Sequence, residues 1–123
     1  MLREFARIAQ ADFGDILGSV QFIYRRTAVP EKLRLHFLDN SFADVWVNSS
    51  GTRYSFHWEA RASRGVLYRW DNAPDFPSVA TFPKHFHNGS ESQVEESYLD
   101  NDLSLALREF LGFVREKLTK VGE

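Results

Sequence analysis

The sequence contains no cysteine, no long hydrophobic run and no excess of basic residues. Without cysteine there is no disulfide framework, no cysteine-ligated zinc or iron–sulfur centre, and no thiol nucleophile. No apolar run approaches the roughly 20 residues that a membrane-spanning helix needs, and charges interrupt residues 1–17 where a signal peptide would be apolar. These features predict a protein of the cytoplasm that does not enter a membrane.

The charge balance argues against an extended nucleic-acid-binding surface. The chain has 15 Lys and Arg against 17 Asp and Glu, which gives a formal net charge of −2. Proteins that bind a nucleic acid backbone usually carry a large basic excess, so any contact with RNA must depend on a local basic cluster. The aromatic share of 15% favours a sheet-rich fold and a protein partner. The length of 123 residues predicts one domain over residues 1–123.

The hydrophobic pattern predicts an α+β fold in the order α-β-β-β-β-β-loop-α. An antiparallel meander of five or more strands lies between an N-terminal and a C-terminal helix in this prediction. Apolar residues at three- and four-residue steps predict a first helix from Leu2 to Leu17, with Gly18 as its stop. The same spacing predicts a last helix from about Asp102 to Val121.

Shorter sequence patterns predict the bounds of the strands, the cap of the last helix and the role of its internal glycine. The predicted strands are Ser19 to Ala28, Leu33 to Phe37, Phe42 to Val47, Arg53 to Glu59 and Val66 to Asp71. Asp100 or Asn101 is the predicted cap of the last helix. Gly112 lies inside that helix, where glycine is unfavourable, and predicts the close approach of another element.

The hairpin of the fourth and fifth predicted strands has two chemically different faces. A turn centred near Ser63 predicts a register that pairs His57 with Arg69 and Ser55 with Asp71 on a polar face. On the aromatic face the predicted pairs are Trp58 with Tyr68 and Phe56 with Trp70. The polar face is therefore the candidate for chemistry.

Residues 72–92 hold three of the four prolines and are predicted to form a long structured loop. In an extended stretch, His85 and His87 project to the same side, since side chains alternate along the backbone. We expect the two imidazoles to lie over Arg69 and Asp71, because this loop directly follows the fifth strand.

The polar hairpin face and the loop together fit metal-independent cleavage of a phosphodiester. Imidazole titrates near neutral pH and serves as general base or general acid, whereas guanidinium and ammonium groups hold phosphate. The predicted catalytic residues are His85, His87, His57 and Asp71, and the predicted phosphate-binding residues are Arg69 and Lys84. No metal and no other cofactor is predicted.

Other interpretations of the same residues stay open. A His-x-His pair is also a pattern of metal ligands, although two ligands specify little. The histidines and Arg69 can also simply brace the loop, in which case the chain is a non-catalytic protein-interaction module. An acidic run between Glu91 and Asp102 contains no Lys or Arg, so it is either solvated or meets a basic partner.

Two segments resemble the paired signature of the TumE-type toxin family. Residues 68–74 read Tyr-Arg-Trp-Asp-Asn-Ala-Pro, and residues 81–89 read Thr-Phe-Pro-Lys-His-Phe-His-Asn-Gly. In the family, the first signature typically reads Arg-Trp-Asp-Asn-Ala-Pro-His-His and the second Phe-Pro-His-His-x-His. The strand around His57 is similar to the family's own aromatic and histidine-bearing strand, and the terminal helices also fit.

The resemblance implies the toxin of a type II toxin–antitoxin module. Its partner would be a small antitoxin encoded beside it, often with a helix-turn-helix domain. By analogy with other small toxins, it implies interference with RNA or translation. We also expect a homodimer.

The resemblance also implies roles for single residues, and two departures from the family pattern limit it. Its loop-structuring residues would be Trp70, Asn72, Pro74 and Pro83. Asp75 and Phe76 stand where the family has a histidine pair, and Lys84 stands where it has another histidine. An inactive toxin homologue is therefore an alternative prediction.

Overall fold

The computed structural model describes residues 1–120 and contains three helices and seven strands in that part of the chain. The helices are α1 (Leu2–Asp12), α2 (Arg61–Arg64) and α3 (Leu103–Thr119). The strands are β1 (Leu17–Ile23), β2 (Lys32–Phe37), β3 (Phe42–Val47), β4 (Tyr54–Ala60), β5 (Val66–Asp71), β6 (His85–Gly89) and β7 (Val94–Glu96). Among these residues, no helix is long and apolar enough to cross a bilayer.

The strands form one antiparallel sheet in which each strand pairs with the next one along the chain. This confirms the predicted α+β fold and the meander between an N-terminal and a C-terminal helix. Two strands lie beyond the five that alternation located. β6 forms inside the segment predicted as a loop, and β7 follows it. The prolines that predicted an irregular segment lie at residues 74–83, before β6, and the glycine is the last residue of β6.

One face of the sheet forms the hydrophobic core with α1 and α3. Every second residue of β4 is buried, as the alternation predicted. The Phe56 ring stacks on Phe110 of α3 with centroids 5.7 Å apart and meets Phe5 of α1 edge-on at 6.2 Å. Trp70 of β5 stacks on Phe86 of β6 at 4.1 Å. The aromatic residues therefore fix the distance between the sheet and both helices.

The opposite face of the sheet carries the polar residues of the same strands. The observed register pairs His57 with Arg69 and Ser55 with Asp71, which confirms the predicted hairpin. On β6, His87 pairs with Arg69 and His85 pairs with Asp71. The core packing thus places a row of charged and imidazole side chains on the face of the sheet that no core helix covers, here called the open face.

The end of the predicted first helix is wrong. Phe13 and Ile16 are buried as a helical stripe requires, but they lie in a turn after α1, and Leu17 already begins β1. Gly18 is not a helix stop. It lies at a register shift between β1 and β2, where a Cβ atom would stand 3.3 Å from the carbonyl oxygen of His36.

The end of the first strand and the turn after the fourth strand also differ from the prediction. The first strand ends at Ile23 and not at Ala28, because residues 25–29 bend ahead of Pro30. The turn predicted after the fourth strand contains the single helical turn α2, and Gly65 ends it with a φ of 74°. Such a left-handed conformation favours glycine.

The cap of the last helix lies one or two residues after the predicted cap positions. Asp102, and neither Asp100 nor Asn101, is the cap, and its side chain accepts hydrogen bonds of 2.9 and 3.2 Å from two backbone N–H groups of the first turn. The predicted close approach at Gly112 is wrong, since an added Cβ there would meet nothing within 4 Å. Val121, the predicted helix end, lies outside the described residues.

We expect the core contribution of α3 to appear in a matched pair of variants. Leu107 is fully buried, whereas Leu105 on the same helix is 49% exposed. Leu107→Ala should lower the free energy of unfolding by about 2–5 kcal/mol through lost burial and a cavity, and Leu105→Ala by less than about 1 kcal/mol. Denaturant titration measures both, and equal losses would contradict the described packing.

Candidate functional site

The carboxylate of Asp71 lies at the centre of the polar cluster on the open face. It is only 8% exposed, at the last residue of β5. Its Oδ1 atom lies 3.1 Å from Nε2 of His85 and accepts the N–H of Ala73 at 2.9 Å. Its Oδ2 atom accepts the Nε–H of Arg69 at 3.1 Å. A buried carboxylate needs such partners, since an unpaired charge away from water is costly.

The two imidazoles of β6 stand side by side, as alternation predicted. Their ring centroids are 5.0 Å apart, and His85 and His87 are 1% and 3% exposed. Nδ1 of His85 lies 3.0 Å from the carbonyl oxygen of Pro83, and Nδ1 of His87 lies 3.0 Å from that of Glu91. Because carbonyl oxygens only accept, both Nδ1 atoms must carry a hydrogen. The Nε2 atom of His87 lies 3.9 Å from Oδ2 of Asp71.

Arg69 connects this cluster to β4 and to the loop between β6 and β7. Its Nη1 group donates to Nδ1 of His57 at 3.2 Å, and its Nη2 group donates to Oε1 of Glu91 at 2.5 Å. Burial lowers the pKa of Arg69, but the hydrogen bonds and charges of Glu91 and Asp71 outweigh burial and leave this pKa above its ordinary value. The hydrogen bond from Arg69 in turn lowers the pKa of Glu91.

His57 occupies the opposite side of Arg69 from His87. Since its Nδ1 accepts from Arg69 and its Nε2 lies 3.1 Å from Oε1 of Glu59, the ring fits the neutral tautomer with hydrogen on Nε2. Hydrogen bonds from Arg61 and from His57 lower the pKa of Glu59 to about 2. The carboxylate of Glu59 is therefore ionised at neutral pH and holds this tautomer.

An open cleft of about 490 Å³ gives solvent access to part of the cluster. Asp71, Arg69 and His87 line it, together with Tyr54 and Phe76, whereas His85 does not. Burial and the charge of Asp71 raise the pKa of Tyr54 to about 12, so its hydroxyl stays protonated. A second cavity of about 310 Å³ adjoins the cleft. It shares Trp46, Ser55 and Arg69 with the cleft and adds His57 and Lys32.

Lys84 lies apart from the other predicted phosphate-binding residue. Its Nζ group donates to the carbonyl oxygen of Leu99 at 2.5 Å and to Oδ1 of Asn101 at 3.2 Å. These acceptors belong to the segment that leads into α3. The ammonium group therefore stabilises that junction, and Arg69 is the cation that the fold brings to the histidines.

The four predicted loop-structuring residues occupy different positions. Trp70 belongs to the core, stacked on Phe86. The side chain of Asn72 accepts the N–H of Tyr54 at 3.0 Å and donates to the carbonyl oxygen of Thr52 at 2.8 Å, which ties the end of β5 to the start of β4. Pro74 is exposed, and Pro83 follows a cis peptide bond.

Sequence reasoning did not single out Glu91 or Phe76 as site residues. Glu91 was one acid in a run that is usually solvated, but it binds Arg69 through its carboxylate and His87 through its backbone carbonyl. Phe76 places its ring 4.8 Å from that of His85 and 5.7 Å from that of His87. The one sequence feature that could have indicated Phe76 as a site residue is its apolar character inside a proline-rich loop.

One known family matches the chain over most of its length. The sequence model of a family described as Toxin TumE matches residues 11–118, which include every strand and nearly all of α3. The chain therefore belongs to the TumE toxin family. This family makes it a toxin of a toxin–antitoxin module and implies an antitoxin as its partner. No curated protein and no solved structure gives a significant match.

We expect the buried His87 ring to make stability depend on pH near neutrality. Burial, with Arg69 adding to it, lowers the pKa of His87 below 6.5 in the folded protein. As the pH falls through about 6.5, the unfolded chain takes up a proton that the folded ring resists, so the free energy of unfolding decreases. His87→Gln should reduce this decrease between about pH 7 and 5.

Denaturant titration at several pH values measures this effect. His36→Gln is the control, because that ring lies away from the cluster and bonds to Gln21 of β1 at 3.0 Å. An unchanged slope in His87→Gln would show that His87 titrates normally in the folded protein.

Proposed function

We propose that this chain is a type II toxin that cleaves RNA without a metal ion and is neutralised by an antitoxin encoded beside it. The observation that carries this proposal is the row of His57, Arg69 and His87 on three adjacent strands, beside an open cleft. A guanidinium between two imidazoles matches the chemistry of phosphodiester cleavage, with one cation for the phosphate and two groups for proton transfer. The RNA substrate would place the protein in the cytoplasm.

The proposed reaction needs two proton transfers on opposite sides of a phosphate bound to Arg69. One imidazole takes the proton of the ribose 2′-hydroxyl, and the 2′-oxygen attacks phosphorus. The other histidine, which must first be protonated to imidazolium, gives a proton to the departing 5′-oxygen, and this leaves a 2′,3′-cyclic phosphate and a 5′-hydroxyl. His87 and His57 fit these roles, because each lines a cavity next to Arg69.

His85 and Asp71 would support this reaction by positioning Arg69. His85 is 1% exposed and does not line the cleft, so we assign it to holding Asp71. Asp71 accepts from Arg69 and orients its guanidinium toward the cleft. His57, which the sequence also predicted as a catalytic residue, thereby takes the place of His85 as the second proton-transfer residue of the proposal.

Growth of bacteria that express the chain tests the toxin. Expression of the wild type should arrest growth, and the double variant His57→Ala and His87→Ala should relieve the arrest, because loss of general acid and base typically costs about 100- to 10,000-fold in rate. His36→Ala should leave the arrest intact. Purified wild type should produce cyclic phosphate ends in EDTA.

Two results would contradict the proposal. One is unimpaired growth with ample folded wild-type protein. The other is an arrest that persists in the folded double variant. Circular dichroism and thermal unfolding establish that each variant is folded.

Glu91 offers a second and independent test, since its carboxylate occupies the guanidinium of Arg69 that a phosphate would need. Glu91→Gln should raise the affinity for a single-stranded RNA oligonucleotide several-fold, measured by fluorescence anisotropy. Glu95→Gln removes the same charge from a side chain that bonds to Asn88 and not to Arg69. Equal effects of the two variants would indicate net charge alone and contradict a phosphate site at Arg69.

A second candidate is a non-catalytic module that acts by binding protein. The exposed ring of Tyr98, at 75% exposure, and the acidic residues around it favour a basic partner on this side of the molecule. A helix-turn-helix antitoxin carries a basic DNA-binding surface and fits that description. If the module is non-catalytic, the histidine variants will change stability but no activity. The predicted homodimer stays a prediction.

A further inference from the structure

The hydrogen bonds of His85 and His87 place a hydrogen on Nδ1 of each ring, so a neutral ring has none on Nε2. Each Nδ1 atom gives its hydrogen to a backbone carbonyl, of Pro83 in one case and of Glu91 in the other. In a neutral imidazole the second nitrogen then carries a lone pair. Both lone pairs face the carboxylate of Asp71, which itself only accepts.

Electron pairs that converge in a buried place are stabilised by a cation between them, either a proton or a metal ion. A proton on Nε2 of His85 would satisfy the 3.1 Å contact to Oδ1 of Asp71. It would not serve His87, whose Nε2 lies 3.9 Å from Oδ2, beyond hydrogen-bonding distance. A metal ion satisfies all three groups at once.

The distances and the donor types fit a transition metal. One ligand atom from each of Asp71, His85 and His87 lies within 4.8 Å of the others, and all three residues are buried. Bonds of about 2.0–2.2 Å in a tetrahedral site place ligands roughly 3.4 Å apart, between the two observed distances. Two imidazoles with one carboxylate favour zinc or another first-row transition metal over magnesium or calcium.

The surroundings of the three side chains match those of metal ligands. Metal-binding histidines typically donate their other ring N–H to a carbonyl or a carboxylate, and binding carboxylates are themselves hydrogen-bonded. Here both imidazoles donate to carbonyls, and Asp71 accepts from Arg69. The cleft, lined by Asp71 and His87, leaves room for a fourth ligand from solvent.

We infer that Asp71, His85 and His87 form a binding site for a divalent transition metal such as Zn²⁺, built from the two Nε2 atoms and the carboxylate. A consequence for activity rests on the proposed function. A bound ion takes the lone pair of His87 that proton transfer needs, so Zn²⁺ would inhibit the metal-independent cleavage.

Calorimetric titration of the full chain with Zn²⁺, after purification without a histidine tag, tests the site. We expect one ion per chain, and at least a tenfold weaker affinity in both Asp71→Asn and His87→Gln. His36→Gln should bind as the wild type does. Binding that is absent in the wild type, or unchanged in the two site variants, would overturn the inference.

Long-range ¹H–¹⁵N spectra of the imidazoles keep the test independent of variants that fail to fold. In the metal-free wild type, His85 and His87 should show hydrogen on Nδ1, and Zn²⁺ should shift their Nε2 signals. Shifts confined to His36 or His57 would overturn the site.

The RNA assay then separates the two proposals. Inhibition by stoichiometric Zn²⁺ supports both the metal site and the metal-independent cleavage. Stimulation supports the metal site and overturns metal-independence. No binding, together with cleavage in EDTA, overturns the metal site and leaves the cleavage supported.

Discussion

The buried carboxylate of Asp71 is the group on which the arrangement of the open sheet face depends. A charge at 8% exposure persists only if neighbours compensate it, and here the neighbours come from β5 itself, from the adjacent strand and from the following loop. Arg69 lies two residues earlier on β5, His85 lies across the ladder on β6, and the N–H of Ala73 begins the following loop. Through Arg69, the same network reaches His57 on β4 and Glu91 beyond β6. One carboxylate therefore orders three strands and two loops.

The hydrophobic core sets the precision of this network from the other side of the sheet. Phe86 lies between the two histidines in sequence and stacks on Trp70 at 4.1 Å, so its ring fixes the position of β6. Because side chains alternate, a rigid Phe86 also fixes His85 and His87 on the opposite face. Sites built on strands hold their side chains more precisely than sites built on loops, which favours a chemical role for this pair.

Local periodicity predicted the parts of the molecule that depend on alternation alone. The two faces of the β4–β5 hairpin, its register and the common side of His85 and His87 all follow from a period of two and one turn position. β6 was missed as a strand because nearby prolines and glycine mask a short run of five residues. Lys84 and Glu91 were beyond sequence reasoning because their partners are backbone carbonyls and side chains distant along the chain, such as Leu99 and Arg69. Such contacts exist only after the sheet has formed.

The departures from the family pattern lie around the cluster and leave its members in place. Phe76, where the family has histidine, packs its ring edge-on against both imidazoles and shields them from water. This shielding contributes to the burial that lowers the pKa of His87. Lys84, in place of another histidine, binds the carbonyl of Leu99 and so anchors the segment before α3. Phe76 and Lys84 thus contribute packing and anchoring beside the cluster of Asp71, His85 and His87, whose ligand atoms lie within 4.8 Å of one another.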